Sequence, residues 1–440
     1  MREPSETPRS TPAARWADLL GLNASTLALL AAILLVTAST ELWSPLIPEY
    51  IQTLRRKAAG GAPETLLWIA LYGSLRDLME AINYYAGGAI GGRLDTRRSL
   101  LLFNLLPLAG LALVAAWPSW AAVFVALPLL TLWDSLAGPA IIAVVGDSVA
   151  PERRATVFAV QAIVRRLARL LAYGVSAATV WWAGREMGFR AAAAMGVLLL
   201  VAAALLQFRL MKSSLRDAAV MSHAPLQMLR GFDPQLRRLL AADVLARWAE
   251  GMPRELIILF CIPLLNADRD AAAAAYAGVL LVIQAVVNVA CYLFIAPRTS
   301  RAGLAKKPFI GWTFAAFAAF PLALATLGPA LGFAGLAAAF VVGGLRELGE
   351  PARKAMISEL VDPALRMQAT GLYWAIRSAA VMLAPLVGGA IWVAADRLKP
   401  GAGPVAMLIA ASAVGWIGAA LFFARFGRDT AAGPPRTRGA

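Results

Sequence analysis

Histidine is almost missing: His223 is the single one in 440 residues, and cysteine occurs twice, as Cys261 and Cys291. So few soft ligands leave little material for a zinc or iron–sulfur centre. The chain also has no His-Glu-x-x-His, Cys-x-x-Cys or glycine-rich phosphate loop, so no metal or cofactor is expected. Both cysteines stand in apolar stretches, which favours buried thiols over a disulfide. His223 falls in a polar stretch and reads as a solvated loop residue. Charge is scarce as well. Only 15% of residues are Asp, Glu, Lys or Arg, against 60% hydrophobic residues and a mean hydropathy of +0.67. A soluble domain does not reach such values; a polytopic membrane protein does. The first twenty residues have no apolar core before Leu19, which points to a polar cytoplasmic tail rather than a signal peptide.

What charge there is leans basic, 41 Lys+Arg against 26 Asp+Glu, a net of +15. Its placement argues against a nucleic-acid partner. Apolar runs long enough for a bilayer, roughly 20 residues each, give about twelve crossings. They are 23–49, 66–92, 99–116, 120–145, 157–183, 190–208, 238–265, 272–296, 309–327, 330–349, 369–394 and 403–424. With the N-terminus inside, about 25 basic residues lie on that side and about 8 opposite, the positive-inside asymmetry that orients a membrane protein. The expected domains are a tail over 1–22, a six-helix bundle over 23–209, a linker over 210–237, a second bundle over 238–425 and a tail over 426–440. Both termini would be cytoplasmic, in a multi-pass chain of the cell (inner) membrane. The cluster Arg55–Lys57 lies on the outer side, and the sequence offers no reason for it.

The informative charges are those inside the spans. Leu66–Gly92 carries Arg76, Asp77 and Glu80 near its middle, where each costs about 2.5–3.5 kcal/mol while a Leu returns only about 0.3–0.6. Such a helix cannot face lipid, and its charges are functional candidates. Arg76, Glu80, Asn83 and Tyr84 follow i, i+4, i+7 and i+8 and so share one face. Span 5 places Arg165, Arg166 and Arg169 within about one and a half turns with no acid of its own, so acids must come from Asp77, Glu80 and Asp134 on neighbouring spans or from a ligand. Span 7 bears a stripe of Asp243, Arg247, Glu250 and Arg254. Glu41 and Arg377 complete the set. Spans 3, 9 and 12 carry no ionisable residue and span 6 only Arg190 at its first position, so every third helix is fit for lipid while the others can line a cavity. Pro45, Pro253 and Pro385 mark kinks or breaks, and most of the thirteen tryptophans belong to interfacial belts.

An internal repeat agrees with two halves. Gly138-Pro-Ala…Asp147…Pro151…Arg154 aligns with Glu350-Pro-Ala…Glu359…Pro363…Arg366 at an offset of 212 positions. Parallel six-helix repeats with a midplane site between them are a transporter architecture. Together with the loop Gly91-Gly92-Arg93-Leu94-Asp95-Thr96-Arg97-Arg98 after span 2, this layout resembles the major facilitator superfamily over the whole chain. That family typically has Gly-x-x-x-Asp-Arg-x-Gly-Arg-Arg in this loop; the first Gly, the Asp and the basic pair are kept, and the second Gly is missing. The related loop Ser300-Arg301-Ala302-Gly303 has Ser where Asp is expected. The arginine that many family antiporters carry in span 4 is absent, and Arg165–Arg169 replaces their Gly-Pro motif in span 5.

The resemblance implies a non-enzymatic secondary transporter working by alternating access, with Asp95, Arg97 and Arg98 as gating residues. Arg76, Asp77, Glu80, Tyr84, Asp134, Arg165, Arg169, Arg247, Glu250, Arg254, Arg377 and Glu41 are the substrate-binding or ion-coupling candidates. A carboxylate flanked by arginines stays ionised until its partners change, so Glu80 beside Arg76, and Glu250 between Arg247 and Arg254, are candidates to trade a proton for a rearranged ion pair. The expected partners are a small-molecule substrate, anionic or amphipathic, together with the lipid bilayer and protons, around a monomeric chain. Two alternatives remain open at this point: an exporter of hydrophobic or cationic compounds in exchange for protons, and a membrane-embedded lipid-modifying enzyme. One expectation is directly testable. Lysines placed mid-span in Leu100–Ala116 or Val405–Phe423 should each cost about 2.5–3.5 kcal/mol, read as lost expression and a lowered melting temperature. Well-tolerated lysines there would reject the lipid-facing assignment.

Overall fold

A computed structural model describes residues 24–59, 64–91, 96–130, 133, 154–210, 229–295, 306–361 and 366–425. These residues are helical almost throughout, with no strand among them. In chain order the first helices are α1 (Ala24–Trp43), α2 (Ile47–Ala59), α3 (Glu64–Gly91), α4 (Thr96–Ala116), α5 (Trp120–Leu130) and α6 (Arg154–Leu210). They are followed by α7 (Pro234–Arg254), α8 (Ile257–Leu264), α9 (Arg269–Ala275) and α10 (Leu281–Ala290). Last come α11 (Lys307–Gly344), α12 (Glu350–Glu359), α13 (Arg366–Val381), α14 (Ala384–Leu398) and α15 (Gly403–Arg425). Asp95 and Asp134 lie outside the described residues.

Local chemistry explains where the helices start and break. Pro234 occupies the first turn of α7, where its missing N–H costs nothing, and the Asp233 carboxylate accepts from the Gln235 N–H. Asp268 caps α9 in the same way, accepting from the N–H groups of Asp270 and Ala271. Pro45 sits in the 3-10 turn Ser44–Leu46 that joins α1 to α2, so the first helical stretch continues to Ala59, beyond the span expected to end at residue 49. Pro253 precedes the break between α7 and α8, and Pro385 opens α14 after the break that follows α13.

α6 has 57 residues. At 1.5 Å per residue that is about 85 Å, nearly three times the hydrocarbon core of roughly 30 Å. It is interrupted at Gly184, whose φ of 75° and ψ of 173° leave the helical region. Beyond that point Gly188 packs so closely that a Cβ there would stand 2.6 Å from the Thr179 carbonyl. α6 is thus two helices back to back. α11 does the same at Gly332 (φ 56°), with Gly335 against the Leu327 carbonyl. Among the described residues, six helical stretches are long and apolar enough to cross a membrane, two of them these hairpins. α7 is not among the six, because its stripe of charges lowers its hydropathy.

α1 lies along α6, and α4 packs on α5 and α6. Later in the chain α15 packs on α7 and α11. Helices from the two ends of the sequence meet where α3 lies against α13 and α14, and where α6 lies against α9 and α10. Leu105 on α4, Leu198 on α6, Trp312 on α11 and Trp416 with Ile417 on α15 are exposed apolar side chains. Among the described residues, no ion pair uses the segments 100–116, 191–208, 309–329 or 403–424, in keeping with a lipid-facing role. Cys261 and Cys291 are both free and buried.

The hairpin glycine gives the test. A Cβ on Gly335 would lie 1.9 Å from the Leu327 carbonyl oxygen, and backbone cannot yield as a side-chain tip can. Gly335→Ala should therefore cost about 1–3 kcal/mol. Gly174→Ala, with nothing within 4 Å of its Cβ, should leave the melting temperature unchanged or slightly raised. Equal melting temperatures for the two variants would contradict the hairpin packing.

Candidate functional site

Burying an ion costs several kcal/mol unless a partner and further hydrogen bonds answer it. Almost every interior charge here is answered, and mostly from another helix. Asp77, 2% exposed on α3, accepts from Arg254 Nη2 at 2.7 Å. Arg76 meets Glu255 Oε1 at 3.0 Å, and Arg254 Nε donates to that oxygen at 3.1 Å. Gly73 admits this arrangement, since a Cβ there would lie 2.6 Å from Glu255 Cγ. The expected partnership of Arg76 with Glu80 on one helix face is therefore not made. Glu255, at the end of α7, enters at Gly73 and takes the guanidinium instead.

A second group surrounds a cavity of about 110 Å³ lined by residues that include Arg169, Tyr173, Glu250, Asn288, Arg346 and Glu347. Glu250 is bridged by two guanidiniums, Arg247 at 2.8 Å on Oε2 and Arg346 at 3.1 Å on Oε1. Arg254, the second arginine expected to flank Glu250, makes its ion pairs with Asp77 and Glu255, and Arg346 takes the place beside Glu250. Arg346 lies 4.7 Å from the Phe320 ring centroid, and its Nε donates to the Gly343 carbonyl. Glu347 accepts from Arg166 at 2.7 Å and from the Tyr292 hydroxyl at 3.1 Å. Glu41 accepts from Arg169 Nε at 2.8 Å and from Tyr173 at 3.0 Å. The arginine run of span 5 thus finds its acids on α1 and at the end of α11, not on Asp77 and Glu80. Arg165 is half-buried beside them.

A third group was not singled out from sequence as a site. Arg353, 0% exposed, bonds Asp243 and holds both oxygens of Glu350, the closer at 2.6 Å. Tyr373 donates to Asp243 at 3.0 Å. Asp243 was legible as part of the α7 stripe. Its partner sits in the stretch that the repeat aligned, and the repeat was the one available signal.

A fourth group, at the end carrying Gly184, was also missed. Glu49, 2% exposed, accepts from Arg185 at 2.7 Å and from Arg269 at 2.8 Å, while Arg185 also bonds Asp270 and Arg269 reaches Gln52. All of these residues sit at helix ends, outside the windows where a charge is conspicuous. The cluster at Arg55–Lys57 finds its explanation here. Arg55 lies between the Trp68 and Trp120 rings, 5.1 and 4.7 Å from their centroids, and Lys57 bonds Glu186.

The remaining candidates are placed as follows. Arg97 donates to the Phe208 carbonyl and stacks on the Phe208 ring at 4.5 Å, Arg98 is exposed, and Asp95, their proposed gating partner, lies outside the described residues. Tyr84 and Trp374 face each other with ring centroids 6.4 Å apart, and Arg377 stacks on Trp374 at 4.2 Å. Glu80 makes no hydrogen bond or ion pair among the described residues.

The cavity is far smaller than the roughly 300–1,000 Å³ of a typical organic-ligand site. It has room for several waters, at about 10–15 Å³ each. An organic solute fits only if the surrounding helices separate, and the ion pairs are what hold those helices together.

No protein-family model and no curated protein matches the sequence. Solved structures do. The chain is similar to the human organic anion transporter MFSD10 (TETRAN), at TM-score 0.65 and 16% identity over 91% of this chain and 99% of that one. It is similar to the nucleoside transporter NupG at TM-score 0.70 and 14% identity, over 92% and 100%. A D-xylose-proton symporter aligns at TM-score 0.72 and 15% identity, over 93% and 99%. The chain has the fold of these transporters.

The Arg353 group gives a further test. Removing the guanidinium leaves Asp243 and Glu350 only the longer ionic contacts to Arg247, at 3.8 and 3.6 Å, and to Lys354, at 3.7 Å, so Arg353→Met should cost about 3 kcal/mol. Lys354→Met, at a side chain 60% exposed, should shift stability by no more than about 0.5 kcal/mol. Thermal unfolding of the two purified variants separates these outcomes.

Proposed function

We propose that the protein is a secondary transporter that carries a small organic solute with an anionic group across the cell membrane by alternating access, coupled to protons. The two bundles, residues 23–209 and 238–425, would rock about the site between them. One observation carries this reading: the cavity is lined from both halves by ionised side chains, Arg169 from the first and Glu250, Arg346 and Glu347 from the second. A permanent structural core has no need to gather charges around a void.

Guanidinium groups match carboxylate and phosphate geometry better than other side chains, and Arg169 and Arg346 both reach the cavity. Glu250 now fills one side of Arg346 at 3.1 Å. Protonation of Glu250 would free that side for the carboxylate or phosphate of a solute, and loss of the solute would return Arg346 to an ionised Glu250. Proton and anion would then travel together, and the site would stay close to neutral throughout. The Glu49–Arg269 and Arg185–Asp270 pairs join the two halves at one end and would have to part when that end opens. Arg166–Glu347 joins them on the cavity wall. Asp95 with Arg97 and Arg98 is proposed as the gate on the cytoplasmic side. One structural neighbour is an organic anion transporter, in keeping with this substrate class.

Reconstituted protein supplies the test. Under an inward proton gradient, vesicles should accumulate one or more members of a labelled organic-acid panel. Glu250→Gln should keep solute exchange at equal pH while losing the gradient-driven accumulation, and Arg346→Ala should weaken binding by about tenfold or more. Persistent accumulation by Glu250→Gln would place coupling elsewhere. Binding of a hydrophobic cation that survives Arg165→Ala and Arg377→Ala, with no anion competing, would overturn the anionic reading.

A further inference from the structure

Two opposite charges at the contact between α3 and α13 stand out because they are not joined. Glu80 on α3 and Arg377 on α13 are each half-buried, and neither has a charged partner among the described residues. The packing puts them at the same depth. A Cβ built on Gly73 lies 3.1 Å from Pro385 Cβ, and one built on Gly371 lies 3.8 Å from the Tyr84 carbonyl. The helices run antiparallel between those two contacts, so Glu80, seven positions past Gly73, stands level with Arg377, eight positions before Pro385. Yet no ion pair within 4.0 Å joins them, while the neighbouring charges of α3, Arg76 and Asp77, are both paired with the end of α7.

An ionised side chain at bilayer depth is expensive, and such groups normally pair with each other when they can. Complementary charges left apart at one level of two packed helices are therefore open to a ligand that satisfies both. The walls suit an organic body. Tyr84 and Trp374 lie 6.4 Å apart as an aromatic surface, and stacking on Trp374 at 4.2 Å fixes the Arg377 guanidinium while its N–H edge stays available.

We infer that Glu80 and Arg377 form a dipolar subsite for a solute bearing both a cationic and an anionic group, an amino acid or short peptide in chemical class. The Glu80 carboxylate accepts from the ammonium group and Arg377 donates to the carboxylate group. The inference rests on the transport reading above and narrows its substrate class: the zwitterion carries the anionic group already proposed, held by Arg377 while Glu250 occupies Arg346 and passed to Arg346 once Glu250 is protonated. With the solute gone, either water separates the two side chains or the helices close and they meet.

The test uses full-length purified protein and three matched probes: phenylalanyl-phenylalanine as the free zwitterion, its N-acetyl anion and its methyl-ester cation, each scored by thermal stabilisation. The free peptide should stabilise the protein at about tenfold lower concentration than either blocked form, one charge-assisted contact being lost in each. Glu80→Gln should abolish the preference for the free peptide over the N-acetyl anion while leaving the affinity for that anion. Arg377→Gln should abolish the preference over the methyl ester instead. This crossed pattern is one that a folding defect does not produce. Equal stabilisation by the N-acetyl anion and the free peptide on the unmodified protein would overturn the dipolar subsite and leave the anionic reading standing. Stabilisation by the methyl ester alone would overturn both. No stabilisation by any probe, or equal loss of all probes in both variants, would overturn the subsite.

Discussion

The architecture depends on one constraint: a guanidinium or carboxylate inside a low-dielectric bundle must be met by its opposite. The pairs that meet this need run mostly between helices, so they also decide which helices can touch. Arg254 reaches from α7 to Asp77 on α3, and Arg166 reaches from α6 to Glu347 beyond α11. Apolar packing among these helices is largely non-directional and would tolerate sliding. A guanidinium held between two carboxylates does not, and register along the interface follows from it.

The same constraint makes the arrangement exchangeable. Several carboxylates hold more than one cation: Glu250 holds Arg247 and Arg346, and Glu49 holds Arg185 and Arg269. A shared partner can be passed from one helix to another without ever leaving a bare charge. That is the property the proposed alternating-access cycle needs, since helices that part and rejoin in lipid have no water at hand to solvate the intermediate. Hydrophobic contacts alone would give either a permanently closed bundle or an indifferent one.

Much of this was legible in the sequence. The helical architecture and the charge-poor third helices followed from hydropathy, and the cost of a mid-span charge marked the ionisable residues of α3 and α7 as needing partners inside the bundle. The partners were not legible. Arg76 prefers Glu255 to Glu80 because Gly73 makes room for a side chain from another helix, and nothing within 64–91 reports that neighbour. Glu49, Arg185 and Asp270 escaped notice because charges at helix ends are ordinary in a sequence, and only folding shows that Glu49 is 2% exposed. Spacing along one helix predicts faces well. It cannot rank competitors that arrive from a distant part of the chain.

The reversals at Gly184 and Gly332 have a consequence beyond packing. A protease or an antibody needs several consecutive residues that can be drawn out into an extended segment, and a single non-helical glycine between two packed helices supplies none. At these two corners the protein offers almost no handle to the aqueous phase. Tags, reporter domains and binding reagents will find little purchase there, and the longer turns elsewhere are the places to attach them.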